Sequence, residues 1–83
     1  MELTNMKNIG PEIKKKLNSI GINSAEELSN IGSKEAFSQL KTAYPEICLV
    51  HLYSLHGAIN DVDFNMLPPD VKADLKAFND GLN

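Results

Sequence analysis

Apolar positions in this chain recur at intervals of three and four residues. No stretch alternates with the period of two that marks a strand. Ile13, Leu17 and Ile20 stand at i, i+4 and i+7 and predict a first helix over Pro11–Ser19. Its outer face then carries Glu12, Lys15, Lys16 and Asn18. Ala25, Leu28 and Ile31 predict a short second helix over about 25–30, and Ala36, Phe37, Leu40, Ala43 and Tyr44 a third over about 34–43. From about 46 to 60 the chain is apolar on nearly every side, which predicts a central helix packed from several directions. Val71, Leu75 and Phe78 form the inner stripe of a fifth helix.

The residues between these stripes supply starts and stops. Gly10 is expected at a sharp reversal, where glycine accepts a positive φ without steric cost. Pro11 suits a first helical position, because its missing N–H would have had no helical partner. Gly21 ends the first helix. Ser24, with Glu27 three residues on, reads as an N-cap and capping box. Gly32 ends the second helix, Ser33 is expected to cap the third, and Tyr44-Pro45 breaks it. Gly57-Ala58 makes a small patch suited to close packing by another helix. The polar loop 60–65 has two inward anchors, Val62 and Phe64. Pro68-Pro69 opens the last helix and Asp80-Gly81 closes it. Asn8-Ile9-Gly10 is echoed by Asn30-Ile31-Gly32, which suggests two tandem turn-helix units; a third is missing, so the chain is no solenoid. The expected fold is all-α, a single small domain over residues 1–83.

Composition narrows the class. Eighty-three residues bury a modest core, and the apolar content is that of a globular protein. The one cysteine, Cys48, can form no intrachain disulfide, which suits a reducing, cytoplasmic setting. The opening MELTNMKNIG lacks a signal-peptide pattern, and no apolar run approaches the ~20 residues of a membrane helix. The net charge is −3, whereas proteins that grip many phosphates are usually basic. Lys7, Lys14, Lys15, Lys16, Lys34 and Lys41 all lie in the first half. Beyond Glu46, only Lys72 and Lys76 face Asp61, Asp63, Asp70, Asp74 and Asp80. Any anion-facing surface is therefore expected near the first helix.

Two readings of the corner at residues 8–11 follow. In one, the amides opening the first helix cradle a DNA phosphate, with Lys7, Asn8, Gly10, Lys15 and Lys16 as the nucleic-acid-binding set. In the other the corner is purely architectural. Glu12 favours the second, because a carboxylate in the first turn already holds the position a phosphate would take. Lys14-Lys15-Lys16 spans most of a turn, so its members cannot share one face. Cys48, His51 and His56 fall short of the four ligands of a structural zinc site, and Cys48 reads as core. No phosphate-binding Gly-rich loop, carboxylate pair or Ser-His-Asp set can be assembled. The expectation is a non-enzymatic protein without metal, cofactor or small-molecule substrate.

The opening stretch resembles a helix-hairpin-helix motif of DNA-handling proteins, through Leu3, Met6, Asn8-Ile9-Gly10-Pro11, Leu17 and Ile20-Gly21-Ile22. Asn8 stands where the common form has glycine, and Glu12 where a basic residue often follows the proline. A longer resemblance covers almost the whole chain. Asn8-Ile9-Gly10-Pro11, Gly21-Ile22, Leu28, Gly32, Ala36, Leu40, Leu52-Tyr53, Leu55, Gly57-Ala58-Ile59, Leu67-Pro68 and Leu75 are similar to the C-terminal domain of the TfoX/Sxy family, regulators of DNA transformation competence. The resemblance implies about five helices with a helix-hairpin-helix-like N-terminal unit. It also implies a binding or regulatory role, through DNA backbone or through a protein partner. Longer members carry an N-terminal α/β domain before this one, so the chain looks like a free-standing C-terminal domain.

Overall fold

The structure, a computed structural model, describes residues 1–82. A 3-10 turn at Leu3–Asn5 leads through the hairpin into α1 (Pro11–Ser19). Then come α2 (Ala25–Ile31), α3 (Ser33–Ala43), α4 (Leu49–Asn60), a second 3-10 turn at Phe64–Met66, and α5 (Pro69–Gly81). No strand occurs among the described residues. The all-α expectation and the five helices hold.

α4 is the centre. It packs against α2, α3, α5 and the second 3-10 turn. Leu52, Leu55 and Ala58 of α4 meet Leu17 from α1, Leu28 from α2, Phe37 and Leu40 from α3, and Leu75 from α5. Every one of these side chains is buried. Each apolar stripe in the sequence turns its most regular member inward, as burial of apolar surface requires.

Several local details differ from expectation. Ala43, which its spacing placed on the inner face of α3, is exposed in the last turn of that helix. α4 starts at Leu49, not near Glu46: Pro45 and Glu46 form a turn closed by the Ile47 N–H on the Tyr44 carbonyl at 3.0 Å. Lys41 Nζ caps the Ile47 carbonyl at 2.6 Å, so Ile47 is buried without being helical. Cys48 is exposed rather than core. It is the N-cap of α4, and its N–H donates to His51 Nδ1 at 3.2 Å. Gly32, at φ 87°, is the N-cap of α3. Ser33 is therefore the first helical residue, and its hydroxyl instead meets His56 Nδ1 at 3.0 Å, tying α3 to α4. Ser24 does cap α2, accepting from the Glu27 N–H at 3.1 Å, but the returning arm differs. Glu27 Oε1 accepts from the Asn23 N–H at 3.0 Å, one residue before the cap.

Candidate functional site

The hairpin is built from a 3-10 turn that buries Leu3, an extended Met6, then Lys7, Asn8, Ile9 and Gly10. Its reversal falls on Asn8, at φ 70°. Gly10 is extended instead, with φ −96° and ψ −178°, and serves as N-cap of α1. Its carbonyl accepts the Lys14 N–H at 3.0 Å. The residue that carries the left-handed turn is thus Asn8, a residue type that tolerates that region. The echo at Asn30-Ile31-Gly32 is one of letters alone. There the positive φ lies on Gly32, and Asn30 is an exposed helical residue.

This geometry predicts that Gly10→Ala changes stability by less than about 1 kcal/mol. Alanine is a poorer N-cap than glycine, but it stiffens the unfolded chain, and the two effects oppose. A Cβ at Gly10 would meet no atom within 4 Å. A loss above about 2 kcal/mol in urea unfolding would show that this account of the turn is wrong.

The Asn8 side chain points inward. Its Nδ2 donates to the Val62 carbonyl at 2.9 Å and to the Ser54 carbonyl at 3.3 Å. Its Oδ1 accepts from the Phe64 N–H at 3.2 Å. One side chain therefore joins the hairpin, the middle of α4 and the loop after it. Gly57 makes room for the joint. A methyl group there would lie 2.6 Å from Asn8 Nδ2 and closer still to the Val62 carbonyl oxygen. The expected close approach at Gly57 is real, but what approaches is a loop carbonyl and an asparagine amide, not a second helix.

The cations spread out. Lys7 and Lys15 are exposed. Lys14 reaches Glu2 at 3.7 Å. Lys16 lies over the Tyr44 ring, 5.3 Å from its centroid, and Tyr44 Oη meets Ser19 Oγ at 2.6 Å. Glu12 is exposed in the first turn of α1. The loop that Asn8 holds brings Asp61 and Asp63 with it; Asp61 is the left-handed C-cap of α4, and Asp63 Oδ1 accepts from the Asn65 N–H at 2.9 Å. Of the set singled out in the sequence, only Lys7, Gly10 and Lys15 offer a surface that is not already engaged. Ser54 gave no signal in the sequence, and Gly57, Val62 and Phe64, legible there as packing residues, were not linked to Asn8. Among the described residues no three His, Cys, Asp or Glu side chains gather as a metal site would require. No helix of the described residues is long and apolar enough to cross a membrane.

The fold and this corner define a small all-α domain of five helices, closed by a tie from its hairpin to its central helix. The chain belongs to the TfoX C-terminal domain family, whose sequence profile matches residues 1–78. It is similar to two solved structures from Listeria monocytogenes, an uncharacterized protein in a triclinic form and a protein of unknown function in a tetragonal form. Against the triclinic form the TM-score is 0.96 at 33% identity, over 99% of this chain and 93% of that one. Against the tetragonal form it is 0.94 at 33% identity, over 98% of this chain and 99% of that one. No curated protein matches the chain.

Proposed function

We propose that this domain is a non-enzymatic regulatory module of the cytoplasm that acts by binding another protein, with its hairpin serving as architecture. One observation carries the reading: Asn8 fastens the loop bearing Asp61 and Asp63 to the hairpin through the Val62 and Phe64 backbone. A surface meant for a phosphodiester backbone gains affinity from each neutralised phosphate and loses it from each carboxylate alongside. Here the two carboxylates flank Val62, whose carbonyl Asn8 holds, and Glu12 occupies the first turn of α1. The net charge of −3 works in the same direction. Mixed charge suits a protein partner, where complementary patches set orientation and register.

The test is a fluorescence anisotropy titration of labelled duplex DNA at about 50 mM and about 200 mM salt. The expected result is no saturable, salt-sensitive binding. Binding that falls steeply with salt, and that drops further in Lys15→Glu combined with Lys16→Glu, would establish the DNA-backbone reading instead. In that case Asp61→Asn with Asp63→Asn should tighten it.

A further inference from the structure

We draw no further inference here: the strongest candidate, the side-chain pair at the start of α4 in which the exposed Cys48 thiol lies 3.5 Å from His51 Nδ1, is one cysteine at a helix N-cap held by hydrogen bonds within its own cap, and nothing in the structure points to a ligand there.

Discussion

Asn8→Ala should destabilise the domain by about 3 kcal/mol, or roughly 15 °C in melting temperature for a chain of this size. Two losses combine. The Phe64 N–H and the Val62 and Ser54 carbonyls lose their partner in a partly buried place. Each unsatisfied buried group of this kind costs about 1–3 kcal/mol, less where water can enter. Alanine must also hold φ 70°, which costs about 1 kcal/mol more than it does for glycine. The two parts can be separated. Asn8→Gly removes the hydrogen bonds but accepts the backbone angle, and should be about 1 kcal/mol milder than alanine. Asn8→Asp keeps an acceptor for the Phe64 N–H but turns a carboxylate toward two carbonyl oxygens. It should be no better than alanine at neutral pH. Urea unfolding followed by circular dichroism measures all three. If glycine and aspartate both behave like the parent, Asn8 is not a tie.

Gly57→Ala should cost a similar amount, about 3 kcal/mol, although alanine is the better helix former by about 1 kcal/mol. The added methyl has no room. It would overlap the Val62 carbonyl and come within 2.6 Å of Asn8 Nδ2, so the loop must move and the hydrogen bonds stretch. The neighbour on one side is backbone, which cannot rotate away as the end of a side chain can. The two substitutions act on one joint, so they should not add. The double variant Asn8→Gly with Gly57→Ala should be at least about 1 kcal/mol more stable than the sum of the single losses predicts. A helix-propensity gain showing through, with Gly57→Ala at or above parent stability, would mean that the loop yields freely. Strict additivity would mean that the two sites are independent.

The helical stripes were legible because each needs only residues within a turn or two of one another. Leu17, Leu28, Phe37, Leu40, Leu52, Leu55 and Leu75 all end in the core that their spacing implies. The start of α4 was not legible. Ile47 is apolar and buried whether it sits in a helix or in a turn, and what decides is Lys41 capping its carbonyl from the preceding helix. Cys48 was misplaced for a related reason: its backbone caps a helix, and a cap faces solvent more often than core. The hairpin shows the same division. Its existence follows from Gly10-Pro11 and the flanking apolar residues. That Asn8, and not Gly10, takes the left-handed angle follows from partners on α4 and its trailing loop, which no local pattern reveals. Gly57 announced a close approach, expected of another helix and made instead by a loop carbonyl and the Asn8 amide. The family resemblance was visible throughout, since it is carried by the same turn and core residues that build the fold. The surface a partner would use leaves no such periodic trace.

The tie at Asn8 also bears on how the chain reaches its native state. Its three partners lie 46, 54 and 56 residues away in sequence. Closing a loop of that size costs about 3.5 kcal/mol in its length-dependent part alone, before any of the three bonds repays it. Helices α1 to α4 make their contacts over shorter spans, so they can assemble while the hairpin is still loose. Asn8 would then be absent from the rate-limiting ensemble. Its replacement should speed unfolding and leave the folding arm of the chevron almost untouched. A peptide cut to the first two dozen residues should not hold the hairpin at all, because the latch that sets its shape lies on α4 and the loop that follows it.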